Sequence, residues 1–193
     1  MVKPDSVVRK VILTGLPAIA DNSLITALIH GGAIESFLLT KSSESGPTST
    51  AIVTFTNGNA AEAYYDKYPN GLAFKLGMKK YVVYVDKGKD VDVVSGLMRG
   101  YLESGASRVV CVSGADEDWS MRALEKIAES KGRKVETIID TFRDGVRSIV
   151  FRFTNIPDAV AFKATMLRDI DWEDADIRFA IDPCEKATGV HFD

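Results

Sequence analysis

The strongest constraint on the fold is an internal duplication, because a chain that repeats itself must fold as copies of one unit. Phe55-Thr56-Asn57 and the segment to Tyr64 return 98 positions later as Phe153-Thr154-Asn155 and the segment to Phe162. Val11-Ile12-Leu13-Thr14-Gly15 matches Val110-Cys111-Val112-Ser113-Gly114 at an offset of 99, and Tyr84-Val85-Asp86 matches Ala180-Ile181-Asp182 at 96. Three ordered matches at nearly one offset divide the 193 residues into a first domain at 1–87, a partly helical connector at 88–106 and a second domain at 107–193.

Periodicity assigns the same elements to both copies. In the first, Val11–Leu16 reads as a strand, Asn22 as a helix N-cap, and Leu24, Ile25, Leu28 and Ile29 as the apolar stripe of a helix ending at Gly31-Gly32. Strands follow at Ile34–Thr40 and Ser49–Phe55, joined by a loop over Lys41–Thr48. A helix spans Asn59–Lys67 with Ala60, Ala63 and Tyr64 on one face, and Lys79–Val85 is the last strand. In the second copy Arg108–Ser113, Lys134–Thr141, Val146–Phe153 and Asp176–Asp182 read as strands. Ser120 caps a helix carrying Leu124, Ile127 and Ala128, Asp144-Gly145 is a turn, and Pro157 sits in a first helical turn. Strand–helix–strand–strand–helix–strand is the split βαβ, or ferredoxin-like, order. The predicted class is therefore α+β. Each domain is predicted as a four-stranded antiparallel sheet with two helices on one face, leaving the other face open.

The chain resembles the RNA-recognition-motif (RRM) family in both halves. That family's first-strand hexamer falls on Val11–Leu16 and Val110–Ala115, and its third-strand octamer on Thr48–Phe55 and Val146–Phe153. The resemblance implies bases stacked on outward aromatics of these two strands. Strand alternation sends Ala51, Val53, Phe55, Ile149, Phe151 and Phe153 inward and Thr50, Ile52, Ser148 and Val150 outward. The stacking positions thus hold Ile12, Thr50 and Ile52 in one copy and Cys111, Ser148 and Val150 in the other, none of them aromatic.

The second half is also similar to fungal multi-RRM proteins of the negative-regulator-of-differentiation type. Gly105-Ala106-Ser107-Arg108, Phe153-Thr154-Asn155-Ile156 and Asp182-Pro183-Cys184 carry that likeness. It implies post-transcriptional control of mRNA and a natural protein with more repeats than two. The tyrosine expected of that type in the first strand is Cys111 here.

The expected function is non-enzymatic binding of single-stranded RNA through weak or non-standard contacts. Its candidate residues are Ile12, Lys41, Thr50, Ile52, Lys79, Lys80, Tyr84, Arg147 and Arg152. Tyr84 faces the open sheet if Val83 and Val85 face the core, and the lysines and arginines are phosphate contacts. Asp140, Asp144 and Asp182 offer both arginines partners within the chain.

The alternative is a protein-interaction module that has lost RNA, using Ile12, Ile52, Val82, Met98 and Tyr101. In the connector Val91, Val94, Met98, Tyr101 and Leu102 recur at helical spacing, and docking within the chain would bury them. A ligand-binding enzyme on the same scaffold is the least supported class. No phosphate loop, dinucleotide fingerprint or zinc-protease motif is present.

Composition narrows the field further. With 46% hydrophobic and 26% charged residues, wholesale disorder is not expected. Net charge is −3, but residues 1–87 carry 9 Lys and Arg against 7 acids, while 107–193 carry 13 against 17, so a polyanion should prefer the first domain. Cys111 and Cys184 make no disulfide framework, and two histidines make no His-rich metal site. His30 is expected to act on the first helix's C-terminal dipole. The acids Asp169, Asp171, Glu173, Asp174 and Asp176 lack calcium-loop spacing and read as a solvated loop. No cofactor, metal or membrane partner is expected. No apolar run approaches the ~20 residues of a membrane span, and Met1–Lys10 has no signal core, so the expected location is intracellular, nucleus or cytoplasm.

Overall fold

The computed structural model describes residues 7–41 and 48–192, so the loop expected over Lys41–Thr48 lies largely outside the described residues. The chain divides into two units, Met1–Ser95 with Pro183–Asp193, and Gly96–Asp182. This differs from the expected boundaries in two ways. The connector is split at Ser95, and the last residues group with the first unit rather than the second.

In the first unit the elements run β1 (Lys10–Pro17), α1 (Asn22–Leu28), β2 (Ile34–Lys41), β3 (Thr48–Phe55), α2 (Gly58–Lys67), β4 (Leu72–Leu76) and β5 (Lys79–Lys87). The strands form one antiparallel sheet in the order β2-β3-β1-β5-β4. Val11, Leu13, Ala51, Val53, Phe55, Val83 and Val85 pack against Leu24, Ile25 and Leu28 of α1 and Ala61 and Tyr64 of α2. Both helices therefore lie on one face, as the split βαβ order requires.

Sequence reading missed β4, and the sheet has five strands instead of four. Leu72, Phe74 and Leu76 alternate with Ala73 and Lys75 in a run of only five residues between glycines. Gly77, at φ +60°, takes the first position of the two-residue turn into β5, where a side chain would be strained. Phe74 and Tyr81 stack across the hairpin with ring centroids 5.6 Å apart.

Two helix details also shift. Asp21, not Asn22, caps α1, its carboxylate accepting from the Leu24 amide at 2.8 Å. Asn57 caps α2, which starts one residue earlier than expected at Gly58, and its buried face carries Ala61 and Tyr64 while Ala63 is exposed.

The second unit contains α3 (Gly96–Glu103), β6 (Val109–Ser113), α4 (Met121–Glu129), β7 (Val135–Arg143), β8 (Val146–Phe153), α5 (Ile156–Met166) and β9 (Asp176–Phe179). Its sheet order is β7-β8-β6-β9. Val110, Val112, Ile149, Phe151 and Phe153 face Leu124, Ala128, Ala159 and Phe162. The connector helix starts only at Gly96, so Val91 and Val94 fall outside it, and Val91 is exposed. β9 stops at Phe179, before the expected Asp182.

A matching buried arginine ties each sheet together. β2 and β7 each carry a bulge whose extra residue is a glutamate, Glu35 between Ile34 and Ser36 and Glu136 between Val135 and Thr137. Glu35 receives Arg9, and Glu136 receives Arg108. The same guanidinium nitrogens donate to the carbonyls of Phe55 at 2.9 Å and Phe153 at 3.3 Å. Arg108 also donates through Nε and Nη2 to Asp182 at 2.7 and 2.8 Å.

The segment after the second unit completes the first. Cys184, on the one-turn helix α6 (Pro183–Lys186), is buried in the first core and its thiol donates to the Thr26 carbonyl at 3.4 Å. His191 donates through its backbone amide to Ala27 and through Nε2 to Ile29, each at 2.8 Å, so the tail satisfies carbonyls that the end of α1 leaves open. In return the Gly31 and Gly32 amides donate to Ala187 and Cys184. His30 lies beyond the helix end and does not act as a dipole cap. It is buried, its Nε2 is 2.5 Å from the Tyr68 hydroxyl, and burial first, then the charges of Lys67 and His191, lower its pKa from 6.5 to about 4.

Two outcomes follow. Replacing Arg108 with Ala removes the guanidinium from two buried carboxylates, Glu136 and Asp182, and should cost ~3–5 kcal/mol in the second unit. Arg9→Ala should cost less, because the Glu35 side chain is 19% exposed and the Glu136 side chain 1%. Denaturant unfolding of the full chain and both variants measures this, and equal losses would contradict it. Because His30 binds its proton less readily folded than unfolded, its contribution is complete above pH 6.5 and fades as pH falls towards about 4. Thermal midpoints over this window should fall more steeply for the unmodified chain than for His30→Gln.

Candidate functional site

The open face of each sheet follows from strand register. In the first unit one row across the strands reads Leu38, Ile52, Ile12, Asp86. Thr40 and Thr50 lie beside it, and Thr14 pairs with Tyr84. Val82 pairs with Ala73, and Lys80 with Lys75, on the same face. Ala51, Val53, Phe55, Val83 and Val85 are buried behind them, so the expected inward and outward sets are as observed. No aromatic faces outward from β1 or β3.

Tyr84 is the aromatic on this face, 59% exposed, with Val82 at 46%, Leu38 at 52% and Ile52 at 38%. Its ring lies near two glycines. A Cβ on Gly71 would meet Tyr84 Cδ1 at 3.4 Å, and one on Gly15 would meet Cδ2 at 3.8 Å. Both glycines have positive φ, a backbone conformation that side chains rarely adopt. Ile12 and Thr50 are half-buried between neighbours.

The lysines gather at one end of this sheet. Lys41 ends β2, Lys79 and Lys80 begin β5, and Lys75 is in β4, all at the C-terminal end of β1. All four are exposed. Lys79 falls on the helix-facing side of the alternation, at the turn, while Lys80 shares the open face with Val82 and Tyr84. Lys75 was not among the residues selected from sequence, because its strand was not recognised. The alternation of Leu72, Phe74 and Leu76 was the signal available.

In the second unit the corresponding row reads Ile139, Val150, Cys111, Arg178, with Thr141, Ser148, Ser113 and Asp176 beside it. Cys111 is half-buried, its sulfur 3.6 Å from the Ser148 hydroxyl oxygen. Arg147 sits on the helix-facing side. It forks onto Asp140 at 3.1 and 2.7 Å and donates to the carbonyls of Trp119, at 2.6 Å, and Asp116. The Arg147 bond holds the Asp140 carboxyl below its usual range. Both the placement and the partners remove Arg147 from the open face. Arg152 is on the open-face side with its guanidinium 3.9 Å from Glu136, and Asp182 pairs with Arg108. Met98 is buried and Tyr101 half-buried.

The equivalent end of this second sheet is acidic. Asp116, Glu117 and Asp118 lie in one loop and Asp171, Glu173 and Asp174 in another, linked by Trp119 stacked on Trp172 at 4.7 Å. Among the described residues no cluster of His, Cys, Asp or Glu could hold a metal ion, and no helix is long and apolar enough to cross a membrane.

No family model matches the chain, and no curated protein matches it. Solved structures are similar to it, among them the three that follow. The N-terminal three RNA-binding domains of the yeast splicing factor Prp24 align with 11% identity and a TM-score of 0.35, covering 89% of this chain and 63% of that one. The first two RRM domains of the yeast poly(U)-binding protein Pub1 align with 13% identity and TM-score 0.34, covering 90% and 99%. RNA-recognition domains 1 and 2 of Sex-lethal from Drosophila melanogaster align with 15% identity and TM-score 0.31, covering 89% and 99%. This chain thus spans less than two thirds of the Prp24 structure's length.

Proposed function

We propose that this chain is a non-enzymatic RNA-binding protein of post-transcriptional mRNA control, built from two RRM-like units, with the first unit's open face as its main site. The observation that carries this reading is an exposed tyrosine on the open face of the sheet whose end gathers lysines. Tyr84 stacks a base and Lys80, on the same face, holds a phosphate, while Lys41 and Lys79 lie exposed at that end of the sheet on the helix-facing side of the alternation. Ile12, Thr50 and Ile52 form the floor beside the stacked base. In the second unit Arg152 is the remaining candidate cation, and the acidic end repels the RNA backbone.

Binding on these terms is weak. Each absent stacking ring forgoes ~1–3 kcal/mol, so two or three together cost about a thousandfold in affinity. Two weak units on one chain recover part of this through effective concentration. Such a role belongs in the nucleus or cytoplasm. A protein-interaction role is the second reading, favoured by the exposed aliphatic side chains Leu38, Ile52 and Val82 on the same face.

Fluorescence polarisation of a mixed-sequence single-stranded RNA pool tests the first reading. Binding should be measurable at low salt and weaken as salt rises. Tyr84→Ala should reduce it roughly 5–150-fold, the equivalent of one lost stack. No polarisation change at low salt would overturn the RNA role. Ile52→Asp that abolishes capture of a protein partner while RNA remains unbound would establish the second reading instead.

A further inference from the structure

The β4–β5 hairpin holds an arrangement that is unfavourable without a ligand. Lys75 and Lys80 are directly opposite each other in the ladder, and alternation with the buried Phe74 and half-buried Tyr81 places both on the open face. Directly opposed residues of an antiparallel pair have Cβ atoms about 4.5–5.5 Å apart, and like charges so placed destabilise the sheet. The segment from Gly71 to Val85 contains no acid. Among the described residues no ion pair joins either ammonium to a carboxylate. Met78, at the turn, is fully exposed and covers neither lysine's charge. Two unneutralised ammoniums held side by side on a rigid ladder match one anionic group lying between them.

We propose that Lys75 and Lys80 form a clamp for one phosphodiester of single-stranded RNA bound to the first unit. This rests on the RNA reading of that unit and adds a part of the site that its base-stacking residue does not supply. Lys80, Val82 and Tyr84 are successive open-face residues of β5, so the clamp lies about 13 Å along the strand from the ring. The base on Tyr84 and the clamped phosphate therefore belong to different nucleotides, and the backbone runs along β5 towards the hairpin turn. A mononucleotide spans only one of these two points, whereas an oligonucleotide reaches both.

The test uses the full chain and its variants Lys75→Gln, Lys80→Gln and the double substitution, with a labelled single-stranded RNA pool titrated at several salt concentrations. Each single variant should weaken binding roughly 3–10-fold, and the double variant should reduce the slope of log affinity against log salt by about 1. Because both lysines hold one phosphate, the double variant should lose less than the product of the two single losses. Tyr84→Ala should weaken binding with the salt slope unchanged. In the absence of RNA at low salt, either single variant should raise the thermal midpoint or leave it unaltered, since it removes a like-charge pair; a fall would contradict the unneutralised pair. If RNA binds in a Tyr84-dependent manner and the glutamine variants keep the full salt slope, the clamp is overturned and the RNA reading stands. If the unmodified chain binds no RNA, both fall. Lysine-dependent binding to phosphatidylserine vesicles without RNA binding would reassign the pair to an anionic lipid surface.

Discussion

Each unit is organised around an arginine at the start of its central strand, buried against a glutamate on a bulge of the outer strand and a carbonyl at the end of the strand between them. Arg9, Glu35 and Phe55 make this arrangement in the first unit, and Arg108, Glu136 and Phe153 in the second. The bulge is what brings the glutamate to the guanidinium, because one extra residue re-aims a side chain that would otherwise follow the pleat. Three strands are thereby held in one register. Register decides which face every side chain takes, and a slip of one residue would turn Phe55 and Phe153 out and Ile52 and Val150 in. The absence of outward rings on the middle strands is therefore fixed by the same contact that stabilises the sheets.

On that shared frame the copies have diverged electrostatically. The end of the first sheet collects lysines from β2, β4 and β5, and the same end of the second collects acids from two loops locked by the Trp119–Trp172 stack. Arg108 and Arg147 have carboxylate and carbonyl partners that account for their burial. The proposed RNA contact accordingly falls on the lysine-bearing end of the first sheet.

Much of the frame was legible in the sequence because it rests on local rules. Val146–Phe153, the Asp144-Gly145 turn and the Ser120 cap are placed by alternation, positive-φ turn chemistry and capping, and the structure agrees with each. The inward and outward sets on β3 and β8 follow from period two alone. What was not legible depends on contacts distant in sequence. The alternation in β4 covers only five residues, and its identity as a strand rests on pairing with β5. The bulge glutamates read as ordinary charged residues until a buried arginine is placed beside them. His30 looked like a helix-end cation, but Tyr68 and the returning tail bury it as a neutral ring. Of the candidate site, Tyr84 could be oriented from its neighbours Val83 and Val85, whereas Lys75 required the unseen strand.

The return of residues 183–191 to the first unit makes that unit discontinuous, with 87 residues of the second unit inserted between its last strand and its final cap. At a synthesis rate of ~5–20 residues per second, roughly 4–17 s separate the emergence of Ser95 from that of Pro183. During that interval the nascent N-terminal half lacks the His191 donors to the Ala27 and Ile29 carbonyls. The half made first is in this sense the half finished last, and a ribosome that stops early leaves it with an unsealed helix end.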